Sequence, residues 1–236
     1  MKRISHILIV ASAILSTESH AKTSTSFNGL SLGLQGGYSL ANTKVSRTKV
    51  SSIAAVNTIK DRNDVAVDGT IGGAHIQYGH LFQNSFFVGL QLNSIFSNLK
   101  GKTETTVNFG EPIVTSAKMK NSYGAALKFG KVFDDMLPYL KLGVVTSKWT
   151  SKTEIPLVGS GGNNKHRLGV EMGLGCDYSF NDRFSTGVEV SRIHYQTFRY
   201  NVLSDRGVKR LVVQIKPREN RTMWHVKFKL LNGFKN

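Results

Sequence analysis

The chain has 236 residues and one cysteine, and its 31 Lys and Arg against 15 Asp and Glu give a formal net charge of +16. A single cysteine excludes an internal disulfide framework, and beyond the N-terminus no apolar run reaches the length of a membrane-spanning helix. The basic balance favours anionic partners, and the combination of 23 Gly, 4 Pro and 13 Phe is typical of many strands joined by turns.

The N-terminus has the three parts of a secretory signal peptide. Lys2 and Arg3 precede a short apolar run at residues 7–15, and Ser19 and Ala21 supply small residues for a cleavage site. We predict a signal peptide over residues 1–21 and one mature domain over 22–236; the alternative for the first segment is a buried N-terminal strand. An exported chain without membrane helices is either soluble or inserted as a barrel, because lipid admits only helices and closed barrels.

Apolar and polar residues alternate with a period of two along eight segments of the mature chain. The sixth segment is the clearest, since its even positions from 168 to 180 are apolar and its odd positions are small or charged. Each segment has about the ten residues that a tilted transmembrane strand needs. The eight segments begin at Leu30, Ala74, Phe86, Tyr123, Leu140, Leu168, Phe184 and Trp224.

The connections between these segments alternate between short and long. Residues 83–85, 134–136 and 181–183 form tight turns, whereas the other connections are much longer. Short turns at one rim and long loops at the other are the layout of an outer-membrane barrel. The sequence therefore predicts an all-β fold, an eight-stranded antiparallel up-and-down transmembrane β-barrel with short periplasmic turns and long extracellular loops.

The same alternation would suit a soluble lipocalin-like barrel, whose apolar face encloses a ligand. Three features favour an apolar face toward lipid. The polar face is rich in Gly and Ser, which fit a narrow interior, and the charged exceptions on the apolar face (Lys131, Lys148 and Arg192) lie near strand ends. Aromatic residues also form two bands, as interfacial girdles require. The predicted bands contain Phe82, Phe86, Phe133, Tyr139, Phe180 and Phe184 beside the short turns, and Tyr38, Phe96, Tyr123, Trp149 and Trp224 near the long connections.

Two stretches carry a family resemblance. Residues 138–143 (PYLKLG) open the fifth strand, and residues 173–178 (GLGCDY) lead into a short turn and the seventh strand. In these stretches the chain resembles the small outer-membrane β-barrel proteins of the OmpA-transmembrane-domain and opacity-protein type. The resemblance implies a place in a Gram-negative outer membrane, insertion by the barrel-assembly machinery, and a structural or surface-antigen role.

Charged residues on the polar face indicate a packed interior. An eight-stranded barrel is just wide enough for its own side chains, so we do not expect a general porin. Because unpaired interior charges are costly, we predict an ion-pair network, with Lys141 near Asp177 and Glu189 near Lys229; the alternative is a gated ion path. The predicted network contains Lys128, Lys141, Glu171, Asp177, Glu189, Lys227 and Lys229, with Arg167 on the same face.

The basic excess concentrates in the long connections. Cations at a membrane rim neutralise outer-leaflet phosphates of lipopolysaccharide, or they capture an anionic host glycan or surface protein, and the residue types do not separate these two uses. Nucleic acid has no motif support beyond charge and is not an expected partner. The densest set of predicted contacts is Arg199, Arg206, Lys209, Arg210, Lys216 and Arg218.

The sequence contains no recognisable catalytic or cofactor-binding motif. His166, His194 and His225 form no motif with Ser and a carboxylate, and residues 159–162 lack the Lys-Ser/Thr of a phosphate-binding loop. Cys176 lies on an apolar face, which indicates a small hydrophobe. We expect a monomeric, non-enzymatic protein without cofactor or metal; a lipid A-modifying barrel enzyme and a soluble ligand carrier are the alternatives.

Overall fold

The computed structural model describes an antiparallel β-barrel, preceded by a short 3-10 turn at Thr25–Phe27. The predicted signal peptide, residues 1–21, lies outside the described part of the chain. Within that part there is no helix with the length and apolarity needed to span a membrane. The described residues are 25–51, 61–106, 112–155, 159–203 and 209–232.

Nine strands are present in these ranges, each antiparallel to its neighbours. Consecutive strands pair from β1 to β7, β7 pairs with β9, and β9 returns to β1, so that eight strands close a ring. The predicted eight-stranded up-and-down barrel is confirmed. The strands are β1 (Gly29–Ser51), β2 (Asp61–Leu81), β3 (Phe86–Thr106), β4 (Pro112–Lys131), β5 (Met136–Ile155), β6 (Gly159–Ser179), β7 (Phe184–Tyr195), β8 (Phe198–Leu203) and β9 (Lys209–Asn232).

The additional strand, β8, continues the path of β7 along β9. His194 of β7 is paired with Arg218, and Phe198 of β8 is paired with Ile215. From residue 194 to 198 the chain advances four residues, while β9 advances three, from 218 to 215. The one extra residue is a β-bulge at residues 196–197. β7 and β8 are together the seventh predicted crossing of the barrel, interrupted once.

In the half of the barrel next to the short turns, which we call the turn-side half, apolar side chains face outward. Leu34, Val170 and Leu174 are 71%, 56% and 56% exposed, whereas Lys128 and Asp177 at inward positions are 0% exposed. Apolar side chains outside and charged ones inside are typical of a barrel embedded in lipid. The predicted orientation is confirmed for this half, and an apolar, ligand-enclosing interior is excluded there.

In the other half, which we call the far half, the pattern reverses. Val65, Val67 and Met119 point inward and are at most 1% exposed, while Lys118 and Lys120 at the alternate positions are exposed. This half is therefore organised like a water-soluble barrel. Its apolar core consists of Ala41, Val65, Val67, Ile71, Ile95, Leu99, Ala117, Met119, Val145, Trp149, Ile193, Tyr195, Phe198, Val213, Ile215 and Met223.

The far half exists because the strands are longer than a membrane requires. β6 has 21 residues, and at about 3.3 Å per residue and a tilt of about 40° such a strand spans roughly 50 Å, twice the apolar band of about 25 Å in outer-membrane barrels. Much of the chain predicted as long loops is therefore strand. The tips of these connections, residues 52–60, 107–111, 156–158 and 204–208, lie outside the described part.

Exposed aromatic side chains form two bands on the outer surface, as the sequence predicts. One band lies beside the short turns, where Phe133 is half-buried and the other members are exposed. The second band lies at the border between the two halves. The exposed members are Phe82, Phe86, Phe180 and Phe184 in the first band, and Tyr38, Phe96, Tyr123 and Trp224 in the second.

Two residues predicted for these bands do not belong to them. Tyr139 is 4% exposed and Trp149 is 2% exposed, and both point into the barrel. The reason is parity, because on β5 they occupy the same face as the inward Lys141 and Ser147. Trp149 instead packs edge to face against Tyr195, with the ring centroids 5.4 Å apart.

Candidate functional site

Seven buried polar side chains meet inside the turn-side half, and all of them are 4% exposed or less. They come from β4, β5, β6, β7 and β9, on which the period of two directs them inward. Charges removed from water in this way require partners. We call this group the lumen cluster; it consists of Lys128, Lys141, Glu171, Asp177, Glu189, His225 and Lys227.

Glu189 forms ion pairs with two cations in this cluster and accepts a hydrogen bond from a phenol. Its Oε1 lies 2.7 Å from Lys141 Nζ, and that nitrogen also lies 3.2 Å from Glu171 Oε1. Its Oε2 lies 3.6 Å from Lys128 Nζ and accepts a hydrogen bond of 3.1 Å from the Tyr139 hydroxyl. The Lys128 ammonium also lies 4.0 Å from the centroid of the Tyr139 ring, within range of a cation–π interaction.

Asp177 is the second centre of the lumen cluster. Its Oδ1 lies 2.7 Å from His225 Nε2, and its Oδ2 accepts a hydrogen bond from Lys227 Nζ. The His225 ring meets His75 edge to face, with centroids 5.5 Å apart. Asp177 thus pairs with His225 and Lys227, whereas Glu189 pairs with Lys128 and shares Lys141 with Glu171.

The partners of Lys141 differ from those predicted, since it bonds to Glu189 and Glu171 and not to Asp177. Counting from the short turns places Lys141 and Asp177 at one depth, but the strand register pairs Lys141 with Gly173 and Asp177 with Leu137. The strands are inclined, so residues at equal distance from the turns are displaced along the barrel axis.

Two further predicted lumen residues lie outside the lumen cluster. Lys229 is half-buried at the short-turn rim, where its backbone N–H donates to the carbonyl of Arg183 at 2.8 Å. It lies there beside Phe27, which packs into the mouth of the barrel. Arg167 lies in the far half, with its guanidinium carbon 4.3 Å from the centroid of the Phe198 ring.

A second buried polar group, missed by the sequence analysis, adjoins the apolar core of the far half. Arg221 and Glu219 are both 0% exposed and form a two-point pair, with Nε 2.5 Å from Oε1 and Nη2 3.0 Å from Oε2. Glu219 also accepts from Tyr195 at 2.6 Å and from Ser39 at 2.7 Å. We call Ser39, Ser122, Ser147, Tyr195, Glu219 and Arg221 the arginine cluster.

The arginine cluster has the chemistry of a structural network. The hydroxyls of Ser122 and Ser147 lie 2.7 Å apart, and they bond to Arg221 at 2.9 Å and to Tyr195 at 2.8 Å, respectively. A nucleophilic serine needs a base such as imidazole to take its proton, and these hydroxyls instead meet a guanidinium and a phenol. The signal for the cluster in the sequence is the two-residue spacing of Glu219 and Arg221, which places both on one strand face.

The outer surface of the far half is strongly basic. Its cations project from β1, β3, β4, β5, β7 and β9, and so surround much of the barrel just beyond the second aromatic band. Among the side chains that the structure describes, the acidic residue on this surface is Asp68, whose carboxylate accepts from Tyr38. We call these cations the basic collar: Lys44, Lys100, Lys102, Lys118, Lys120, Lys148, Lys152, Arg192, Lys216 and Arg218.

Several members of the basic collar are direct cross-strand neighbours. Lys100 is paired with Lys118, Lys120 with Lys148, and Lys44 with Lys216. On their other sides, Lys100 is paired with Asp68 and Lys44 with Asp64, whereas the pair of Lys120 and Lys148 has no acidic cross-strand neighbour. Directly opposed side chains on one sheet face have Cβ atoms about 4.5–5.5 Å apart, and like charges there are destabilising. An anion bound between the ammonium groups of Lys120 and Lys148 would offset this repulsion.

The predicted basic contacts are found in strands, or outside the described residues, instead of in loops. Arg199 lies in β8 and is exposed; Lys216 and Arg218 lie in β9 and are exposed. The backbone of Lys209 and Arg210 belongs to β9, and Arg206 falls outside the described residues. Three of the predicted six are thus described as exposed cations of the far half.

The sequence matches a known family. A family model described as "Outer membrane protein beta-barrel domain" matches residues 7–208, which is most of the chain. The chain belongs to this family. Members of this family are outer-membrane barrels, so the turn-side half is the part that lies in the membrane.

Two solved structures share the fold. OprG from Pseudomonas aeruginosa is 15% identical, with a TM-score of 0.57 over 86% of this chain and 97% of its own. The outer membrane protease OmpT from Escherichia coli is 10% identical, with a TM-score of 0.51 over 91% of this chain and 100% of its own. At these identities the likeness shows the fold alone. A search of the curated proteins found no match.

Proposed function

We propose that this protein is a non-enzymatic surface barrel whose basic collar binds the phosphate or sulfate groups of anionic glycans, either those of lipopolysaccharide or those of a host surface. The observation that carries the proposal is the row of cations on the outer face of the far half, in which Lys120 lies directly opposite Lys148 with no acidic cross-strand neighbour. Like charges directly opposite each other are destabilising, and a phosphate or sulfate bound between them removes this repulsion.

The position of the collar also supports this role. The second aromatic band, with Tyr38 and Trp224 exposed, belongs at headgroup depth because amphipathic rings favour the interface. The collar begins three or four residues further along the strands, at Lys120 beyond Tyr123 and at Lys100 beyond Phe96, where long lysine side chains reach back to the outer-leaflet phosphates. Those nearest the rim are available to soluble or cell-bound glycans.

The interior supports a closed barrel in preference to a general porin. Lys128, Lys141 and Arg221 extend across it and are at most 2% exposed, so the lumen is occupied by paired side chains. The His residues also support a non-catalytic role, because His166 and His194 are exposed on the outer surface and His225 is bonded to Asp177 inside.

We further propose the route by which the protein reaches this place. Residues 1–21 act as a cleaved signal peptide, residues 22–236 form one barrel domain, and the barrel-assembly machinery inserts it as a monomer. The charged and apolar parts of the signal segment support the first step.

The collar is tested with a Lys118→Gln/Lys120→Gln variant and with Lys131→Gln as the matched control, because Lys131 is an exposed lysine of the same strand at the short-turn rim. The folded protein is placed in nanodiscs with and without lipopolysaccharide, and its thermal unfolding is recorded. We expect lipopolysaccharide to raise the unfolding temperature of the wild type and of the control, and to raise that of the collar variant by less than half as much.

Heparin distinguishes the two sources of the glycan. Retention of the wild type on heparin at physiological salt supports a host ligand, and retention at low salt alone supports lipopolysaccharide, since weak attraction is screened by salt. A wild type that responds to neither ligand, or a collar variant that matches the control, would overturn the proposal.

A further inference from the structure

The wall of the far half has an open seam between β6 and β8. β6 pairs with β7 only as far as Gly169 opposite Tyr195, and a last hydrogen bond of 2.9 Å runs from the Gln196 N–H to the Leu168 carbonyl. Beyond this point β6 remains paired with β5 on its other edge, and β8 is paired with β9. Among the described residues, no ladder joins β6 to β8.

The bulge at residues 196–197 produces this seam. The extra residue shifts β8 relative to the pairing of β7, and a bulge bends the strand that carries it. The edges of β6 and β8 therefore separate, and side chains from both strands and from β9 line the space between them. The resulting cleft has a volume of about 580 Å³ and opens to solvent.

Cations line the cleft on both sides. Lys165 and Arg167 project from β6 and Arg199 from β8, and none of the residues that line the cleft is acidic. Asn163 and Gln214 add side-chain amides, which both donate and accept hydrogen bonds. A volume within the roughly 300–1,000 Å³ of small-molecule sites, together with this lining, suits a compact anionic ligand that also carries hydroxyls.

The side chain of Arg167 is held in place in the cleft by contact with an aromatic ring. Its guanidinium carbon lies 4.3 Å from the centroid of Phe198, and Phe198 is itself fixed in the apolar core at 5% exposure. A guanidinium stacked on a buried ring is held in one orientation, and its fork of donors matches the oxygens of phosphate and sulfate groups.

We propose that this seam is a specific binding site for one anionic saccharide unit, a sugar carrying sulfate or phosphate esters. Arg167 and Arg199 contact the ester oxygens, and Asn163 and Gln214 contact the hydroxyls. The proposal rests on the proposed function and names the place where a short glycan is recognised, as distinct from the distributed charge of the basic collar.

The test uses the folded full-length barrel in detergent micelles and three short probes, each titrated by calorimetry. The probes are a fully sulfated disaccharide, an acyl-free glucosamine disaccharide with two phosphates, and an uncharged disaccharide. The variants are Arg167→Gln and Arg199→Gln, and the control is Lys131→Gln at the short-turn rim, which lies outside both the basic collar and the cleft. Unboiled gel migration checks that each variant is folded, and exposed Arg199 gives a second variant whose loss leaves the Phe198 packing intact.

We expect the wild type to bind at least one charged probe, and the uncharged one at least tenfold more weakly. Each arginine variant should weaken charged-probe binding roughly tenfold, because a charge-assisted hydrogen bond is lost, and Lys131→Gln should change it less than twofold. Preference for the sulfated probe identifies a host source, and preference for the phosphorylated probe identifies lipopolysaccharide.

Two results would overturn the seam site. One is binding of a charged probe that neither arginine variant weakens; the other is a wild type that binds long heparin or lipopolysaccharide but none of the short probes. In both cases the collar remains the binding surface and the proposed function stands. A wild type that binds neither long nor short anionic glycans removes both proposals.

Discussion

Glu219 and Arg221, the pair of opposite charges in the arginine cluster, are both fully buried, and their geometry indicates why removing one partner is harmful. The carboxylate meets the guanidinium at two points and also accepts from Tyr195 and Ser39. Breaking a buried pair leaves one charge without compensation, and this costs about 3–5 kcal/mol, whereas replacing both partners costs much less.

We therefore predict that Arg221→Gln lowers the free energy of unfolding by about 3–5 kcal/mol, and that the double variant Glu219→Gln/Arg221→Gln recovers part of the loss. Urea unfolding in lipid vesicles, followed by Trp fluorescence, measures both. Arg192→Gln on the exposed outer face is the control and should stay close to the wild type. A double variant less stable than Arg221→Gln would contradict the pairing argument.

Single residues also show where reasoning from the sequence stops. Parity is sufficient to place Lys128, Glu171 and Asp177 inside the barrel, and the same rule applied to Tyr139 would have removed it from the predicted aromatic band. The partner of Lys141 could not be found in this way, because its contact with Glu189 crosses the lumen and depends on the inclination of the strands.

At the scale of the strand, side chains alternate between inward and outward along the whole length, but the outward ones face lipid in the turn-side half and water in the far half. On β6 the outward Leu174 belongs to the turn-side half, and on β2 the outward Ala66 belongs to the far half. A charged side chain on the lipid face near the midplane costs about 2–4 kcal/mol, and the cost vanishes where the same face meets water.

We predict that Leu174→Lys lowers the free energy of unfolding in vesicles by about 2–4 kcal/mol, whereas Ala66→Lys changes it little. The two variants introduce the same side chain at outward positions, so the comparison isolates the surroundings. Equal destabilisation at both positions would show that lipid covers the far half as well.

The far half was predicted as loops for a physical reason. The alternation of apolar residues persists there, as in Val65 and Val67 or Ala117 and Met119, but the intervening positions carry Lys, Ser and Thr, which are also common in loops. The seam was beyond sequence reasoning, since a single unmatched residue at 196–197 becomes visible only when both neighbouring strands are in register.

At the scale of the molecule, the decisive feature is closure. β1 pairs with β9 over its whole length, from Gly29 to Ser51, so the first and last strands protect each other's edges. A closed barrel of this kind resists detergent. Every strand of the ring is paired on both sides, so a strand can leave only by breaking the hydrogen bonds to two neighbours.

We predict that unboiled protein in sodium dodecyl sulfate migrates as a band distinct from the boiled protein. Leu34 lies within β1, which is paired with both β2 and β9. Leu34→Pro should abolish the unboiled band, because proline has no N–H to donate to the neighbouring strand. Leu34→Ile keeps the donor and serves as the control. Identical migration of boiled and unboiled wild type would contradict a closed barrel.

The inversion between the two halves fixes how deep the protein sits. If the barrel moved by two residues along each strand, about 7 Å of chain, the result would depend on the direction. Movement inward would bring lysines of the collar toward the acyl chains, and movement outward would expose lipid-facing leucines to water. Both displacements are opposed, so the barrel needs no anchoring partner to hold its level. The same restriction makes the protein sensitive to bilayer thickness: in a thicker membrane, the lipid must thin around the barrel before the collar can stay in water.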